Sequence, residues 1–209
     1  MLDELTSEDR IALILPGEDA VVSEVDLPIR QRSRLLQAVP FAMEEQLADD
    51  VDAMHFALGD KSASGAHRVV AITTAAMDAY LAPFDASAAL VEGAYIDSQL
   101  LAQGPEAETL VWLEPGRALV RGQGYALAVD NALLSSVMTP NEEGVMPALI
   151  LADGAETDFD RAQAEVIDRE PEGLQQLAAW CGGSHTVNLM QGVYRAVDQA
   201  TQWWRPWLA

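Results

Sequence analysis

The residues of this chain whose types and spacing can do chemistry fall into a few groups. Arg30, Arg32 and Arg34 crowd three of the 12 basic side chains into five positions. On a helix Arg30 and Arg34 share a face, and their guanidinium forks suit bidentate contact with a partner's carboxylates. The alternative is internal pairing with the chain's own acids, which so acidic a sequence favours. Glu44, Glu45, Asp49, Asp50 and Asp52 follow as an acidic run. On one helical face Glu45 and Asp49 repel each other. A metal site would need further ligands, and only the lone His55 lies near, so the run reads as a solvated or partner-facing surface.

The remaining candidates are weaker. Cys181 and His185 are four apart, but Gly182-Gly183 between them breaks any helix, and two ligands do not make a zinc site. The glycine pair itself reads as a helix stop rather than a nucleotide approach. His55, His67 and His185 stand alone and read as structural. The sequence contains no GxxxxGK[ST], no GxGxxG after a strand, and no GxSxG, HExxH or CxxC. No catalytic residue, metal ligand or cofactor site is assigned, and the expectation is a protein that is not an enzyme.

Hydrophobic period and breakers place these residues on elements. Ile11–Leu15 and Ala20–Val25 read as strands around Pro16-Gly17 and could form a hairpin. Leu36, Val39, Met43 and Leu47 give a helical stripe that Pro40 interrupts. Either the helix kinks there, or one helix ends near Ala38 and a second begins with Pro40 in its first turn. The second version puts Glu44 and Glu45 close to a helix N-terminus, where acids are favoured. Met54–Leu58 and Arg68–Thr73 read as strands around a polar loop. Thr74 caps a short helix that Pro83 stops. After a connector, a short strand is expected near Gly93–Ile96.

Thr109–Leu113, Arg117–Arg121 and Tyr125–Val129 read as three strands joined by Glu114-Pro115-Gly116 and Gly122-Gln123-Gly124 turns. Asp130 or Asn131 caps a short helix through Val137, and Ala148–Ala152 is a buried strand. Acid-rich Asn141–Gly173 is expected to be mostly loop or solvated helix. Leu174–Trp180 is helical, and Thr186–Met190 is a last short strand. Strand pairs followed by a helix occur twice. That pattern predicts an α/β (mixed α+β) architecture with two lobes, residues 1–96 and 97–192, and a tail over 193–209.

Composition bounds the function. The chain has 209 residues, half of them hydrophobic, and a formal charge of −21 from 33 acids and 12 bases. It is long enough for one good core or two small ones. Its charge disfavours nucleic acid and anionic lipid surfaces and favours a basic protein partner, or serves solubility alone. The single cysteine, Cys181, forbids an intrachain disulfide and fits a reducing compartment. The N-terminus lacks the pattern of a secretory signal, and no stretch reaches the ~18 apolar residues of a membrane span. The expectation is a soluble, cytoplasmic chain. At its end, Trp203, Trp204 and Trp207 surround Arg205. Exposed, they suit the approach to a membrane; the alternative is that they pack back on the domain.

Two blocks resemble a known family. Gln37-Ala38-Val39-Pro40-Phe41-Ala42 runs into Glu44-Glu45-Gln46-Leu47-Ala48-Asp49-Asp50-Val51 and then His55-Phe56-Ala57-Leu58-Gly59. Asn188-Leu189-Met190-Gln191-Gly192 is followed by Tyr194-Arg195 and Trp204-Arg205-Pro206. Both are similar to the cytoplasmic domain of protein L of the bacterial type II secretion system; between the blocks the similarity is one of layout.

That resemblance implies an actin-like fold of ribonuclease-H-like lobes with mixed sheets, related to pilus-assembly protein M, and no catalysis. It implies binding of the secretion ATPase, protein E, through that ATPase's N-terminal region. Further partners that it implies are protein M, pseudopilus components and a second copy of the chain. It places the protein at the cytoplasmic face of the inner membrane, held by a helix beyond Ala209. Against the family pattern the chain begins late, after the first strand pair, and ends before the membrane helix. Asp97-Ser98 follows a strand as an actin-like phosphate loop would, but without the glycines that loop needs.

The interface candidates are Arg30, Arg34, Glu44, Glu45, Asp49 and Asp50, and the membrane-proximal ones are Trp203, Trp204, Arg205 and Trp207. The rival reading is an actin-like nucleotide-binding protein or ATPase that uses the interlobe cleft near Asp97 and Gly182-Gly183. A weaker one is a free acidic binding protein with no membrane link.

Overall fold

The run Val69-Val70-Ala71-Ile72 has no polar alternation because its strand is covered on both faces. In the computed structural model, which describes residues 5–87, 89–101, 109–137, 148–151, 165–167, 177–179, 181–183 and 185–195, Val69 and Ala71 face one apolar cluster while Val70 and Ile72 face another. The strands are β1 (Arg10–Leu15), β2 (Ala20–Val25), β3 (Met54–Lys61), β4 (His67–Thr73), β5 (Leu90–Ile96), β6 (Leu110–Glu114), β7 (Arg117–Gly122), β8 (Tyr125–Asp130), β9 (Ala148–Leu151) and β10 (Glu165–Ile167). The helices are α1 (Arg32–Met43), α2 (Thr74–Leu81), α3 (Asp97–Leu100) and α4 (Leu134–Val137).

Eight strands form one sheet in the order β10-β9-β6-β7-β8-β2-β4-β3, and β1 pairs with β5 in a second, two-stranded sheet. Pairing is parallel for β1–β5, β6–β9 and β9–β10, and antiparallel elsewhere. The β6-β7-β8 meander and the mixed α/β class follow the expectation from sequence. The β1–β2 hairpin does not form. β1 takes β5 as its parallel neighbour, while β2 pairs with β4 and touches β8 at Val22↔Ala126.

α1 is a single helix that keeps Pro40 inside it, so no second α-helix begins at Pro40. The buried stripe is Leu35, Val39 and Met43, each four residues from the next, and it packs on Val25, Leu58, Val69 and Ala71. Leu36 and Leu47 only flank that cluster. On the other face of β2-β4-β3, Met77 of α2 joins Leu15, Ile72, Ala94 and Ile96. The cap of α2 is Thr73, whose Oγ1 accepts from Ala76 N–H at 3.2 Å, rather than Thr74. Asp130 caps the 3-10 turn before α4. A third cluster holds Trp112, Leu119, Leu100, Leu101, Tyr95 and Leu177. Within acid-rich 141–173, β9 and β10 are strands; the rest of that stretch lies outside the described residues. No helix among the described residues is long and apolar enough to cross a membrane.

Residues 186–190 form no strand. Their main chain is held largely by side-chain amides. Gln99 brackets Val187, donating from Nε2 to its carbonyl at 3.0 Å and accepting from its N–H at 2.6 Å. Asn188 accepts from Ala94 N–H at 3.1 Å and donates to Glu92 O at 3.0 Å. Leu189 N–H reaches Ala94 O at 2.8 Å. Amides that pair with backbone offer the chain an alternative to a ladder.

Candidate functional site

Two places concentrate polar side chains, and both are built across segments far apart in sequence. The first is the seam where residues 187–195 cross β5 and β3. Gln191 Oε1 accepts from Leu58 N–H at 3.3 Å and its Nε2 donates to Leu58 O at 3.1 Å. Arg32 at the start of α1 donates to the same Leu58 carbonyl at 2.7 Å and to Gln191 Oε1 at 3.0 Å. His55 Nε2–H donates to Leu189 O at 2.8 Å, which fixes its tautomer. Burial lowers its pKa, against the pull of that carbonyl. Tyr194 meets the His55 ring edge-on at 4.8 Å and donates from its hydroxyl to Asp78 on α2 at 2.7 Å. Gly59 belongs to the same seam: a Cβ there would lie 2.6 Å from Val187 Cγ2. The blocks around His55-Phe56-Ala57-Leu58-Gly59 and Asn188-Leu189-Met190-Gln191 thus meet in space.

The second place surrounds Asp97, directly after β5, near which the rival nucleotide reading puts its cleft. Asp97 begins α3, is 2% exposed, and pairs with Arg117 of β7 at 2.9 Å. Arg117 also reaches Glu18 at 3.0 Å and Glu114 at 2.7 Å. Burial pushes the Asp97 carboxyl up to about 6, against the pull of Arg117. Burial opposes the Arg117 charge, but Asp97 and Glu114 more than offset it and hold its pKa above the ordinary value. Gly17 is required by close approach, since a Cβ there would sit 2.8 Å from Asp97 Oδ1 and 3.0 Å from Ala128 Cβ. A guanidinium with three carboxylates occupies this place, an arrangement that favours a fixed internal pair over an open phosphate cradle. Gly182 has φ +74, and a Cβ there would lie 3.6 Å from the Tyr95 hydroxyl. That left-handed turn is what glycine permits.

The expected interface residues are exposed but arranged differently from the expectation. Arg30 lies ahead of α1, which begins at Arg32, so Arg30 and Arg34 do not share a helical face. Both are exposed, and among the described residues none of Arg30, Arg32 and Arg34 joins an ion pair; Arg32 binds a carbonyl and an amide instead. Glu44 and Glu45 form a 3-10 turn directly after the C-terminus of α1, not the start of a new helix. Asp49 follows in an irregular segment, so Glu45 and Asp49 share no helical face, and Asp50 caps the next 3-10 turn through Asp52 N–H at 3.0 Å. All four acids are exposed. Trp203, Trp204, Arg205 and Trp207 lie outside the described residues.

Two residues that the motif reading passed over carry weight. Phe41 is 75% exposed. With Arg34 and Gln37 it lies on the side of α1 opposite the Leu35-Val39-Met43 stripe. The signal was available: Phe41 falls between stripe positions. The other is Arg121, on β7 and 7% exposed, which nothing in its local sequence marks.

A family model described as type II secretion system, protein L, matches residues 1–197. The protein L of Pseudomonas aeruginosa is 32% identical over 204 residues, which is 94% of this chain and 49% of that protein. The protein L of Dickeya chrysanthemi is 25% identical over 198 residues, 93% of this chain and 47% of that protein. The chain therefore spans about half the length of these relatives. The solved structure of the cytoplasmic domain of EpsL, an inner-membrane component of the type II secretion system of Vibrio cholerae, matches with a TM-score of 0.70. It is 22% identical, covering 93% of this chain and 84% of that one. The likeness shows the fold, an actin-like one.

Proposed function

The chain belongs to the type II secretion system protein L family, and from that premise we propose that it is a non-catalytic platform component of that system at the cytoplasmic face of the inner membrane. Its task is to recruit the secretion ATPase, protein E, by that ATPase's N-terminal region. Links to protein M, to pseudopilus components and to a second copy of the chain are part of the same reading. So are two lobes over 1–96 and 97–192 and a juxtamembrane segment carrying Trp203, Trp204, Arg205 and Trp207. The membrane assignment draws support from the Vibrio cholerae protein, described as an inner-membrane component.

One observation carries the recruitment reading. The outer side of α1 and the turns after it present a solvent-facing surface with an apolar centre and charged surroundings. Phe41 is 75% exposed, Arg30 and Arg34 lie on its N-terminal side, and Glu44, Glu45, Asp49 and Asp50 follow it. A large apolar residue with polar neighbours has the make-up of a binding anchor and its rim. The free arginines and the acids suit a partner carrying both signs of charge, with basic residues dominant, as the charge of −21 demands. Titration calorimetry against the N-terminal region of the ATPase tests it, with Phe41→Glu as the disabling variant.

A further inference from the structure

Arg121 is buried where its charge is not matched by an adjacent carboxylate. Its Nη1 donates to the Gln99 carbonyl and, at 2.9 Å, to the Leu101 carbonyl; its Nη2 makes one long contact, 3.4 Å, to the His185 carbonyl. Nε–H and the second Nη2–H have no partner among the described residues. Those two N–H groups are parallel and form the edge of a guanidinium that grips a carboxylate bidentately. Arg121 lines a recess of ≈ 110 Å³ walled by β2, β7, β8 and the 62–66 turn. His185 lines the same recess, and its Nε2 is buried with no hydrogen-bond partner. Glu24 is the carboxylate that faces this space. It is engaged by Ser62 at 2.7 Å, Ser64 at 3.0 Å and Arg68 at 3.9 Å, and it forms no ion pair with Arg121. Burial works against the Arg121 charge, and Arg68 nearby adds to that pressure. A buried cation with an open bidentate edge in a recess suits a planar anion.

We propose that this recess binds a single carboxylate group, gripped by the Nε/Nη2 edge of Arg121. The site shares no residue with the outer surface of α1 and stands independently of the recruitment reading. The group arrives on a small free acid or on the side chain of an acidic peptide, and both present the same planar anion. A strongly negative chain repels larger anions, so the occupant is compact.

The test is thermal unfolding of the 209-residue chain with acetate, succinate, inorganic phosphate and a blocked Gly-Glu-Gly tripeptide, against chloride at matched ionic strength. The expected result is a saturable rise of about 5 °C or more at a hundredfold excess over Kd. Response to acetate or succinate identifies a free acid; response to the tripeptide alone identifies delivery on a peptide. Arg121→Lys, which keeps charge but loses the fork, weakens binding at least about tenfold. Glu24→Gln removes an opposing charge and tightens binding by about threefold or more, an outcome that misfolding cannot mimic. The proposal is overturned by the absence of a saturable shift up to 100 mM carboxylate, by a response to phosphate alone, or by Glu24→Gln binding no more tightly than the parent.

Discussion

The side-chain amide of Gln191 pairs with the backbone of Leu58 through both its oxygen, at 3.3 Å, and its nitrogen, at 3.1 Å. It stands where the next strand of the sheet would stand. Among the described residues β3 lies at one edge of the eight-stranded sheet, and an edge with free N–H and C=O groups invites foreign strands. Gln191 blocks it at one residue, and Asn188 does the same to β5 at Ala94 and Glu92. The short stretch from Asn188 to Gln191 therefore ties the two sheets together.

Gln191→Ala removes both bonds and leaves the Leu58 N–H without a partner, while the Leu58 carbonyl keeps Arg32. The expected loss is about 1–3 kcal/mol of unfolding free energy in urea. Hydrogen exchange locates it: the Leu58 amide loses protection ahead of Val70 in the strand centre. Unchanged protection at Leu58 contradicts the pairing.

Asp97 sets a pH dependence whose sign is definite. Its folded pKa, about 6, lies above the ordinary 3.8, so between those values the folded state holds the extra proton. Stability from this group therefore rises as pH falls from 7 toward 4, by on the order of 3 kcal/mol. His55 and His185, both lowered mainly by burial, act oppositely, because below pH 6.5 the unfolded chain takes up their protons first. Comparing the parent with Asp97→Asn in denaturant melts at pH 7 and pH 5 isolates the carboxyl. The parent gains on the variant as pH falls; a constant difference contradicts the buried state of Asp97.

Arg117→Met leaves Asp97 buried without its counter-ion. At pH 8 the expected cost is about 3 kcal/mol or more, and it shrinks at pH 5, where Asp97 takes a proton. In a double-mutant cycle, Asp97→Asn with Arg117→Met costs less than the two single changes summed. Strict additivity shows that the pair does not interact.

The proposed platform reading needs no nucleotide near Asp97. Magnesium-ATP at millimolar concentration is expected to leave the thermal midpoint unchanged. A saturable rise, lost in Asp97→Asn, would support the actin-like nucleotidase instead.

Much of the fold is legible along the chain because its strands are dense apolar runs. The β6-β7-β8 meander is readable since Pro115-Gly116 and Gly122-Gln123-Gly124 close the turns locally. Non-local pairing is not readable. Pro16-Gly17 looks like a hairpin turn, yet β1 pairs with β5, some eighty residues on; periodicity specifies a face and not a neighbour. Pro40 misled for a related reason: three buried contacts at Leu35, Val39 and Met43 hold α1 together through a residue that interrupts helices in isolation. The stretch around Asn188 has the apolar alternation of a strand, but Gln99, Asn188 and Gln191 take its backbone partners. Among site residues, the charged ones of the recruitment surface are visible as runs. The Arg121 recess is not, because it forms only when β2, β7, β8 and the 62–66 turn come together.

The recruitment reading stands or falls on binding. Titration calorimetry of this chain against the N-terminal region of the secretion ATPase is expected to give a one-to-one complex with Kd in the micromolar range or tighter, about −8 kcal/mol. Phe41→Glu should weaken it at least tenfold without changing the melting temperature, since Phe41 is 75% exposed. No heat at tens of micromolar, or equal affinity for the parent and Phe41→Glu, contradicts the account.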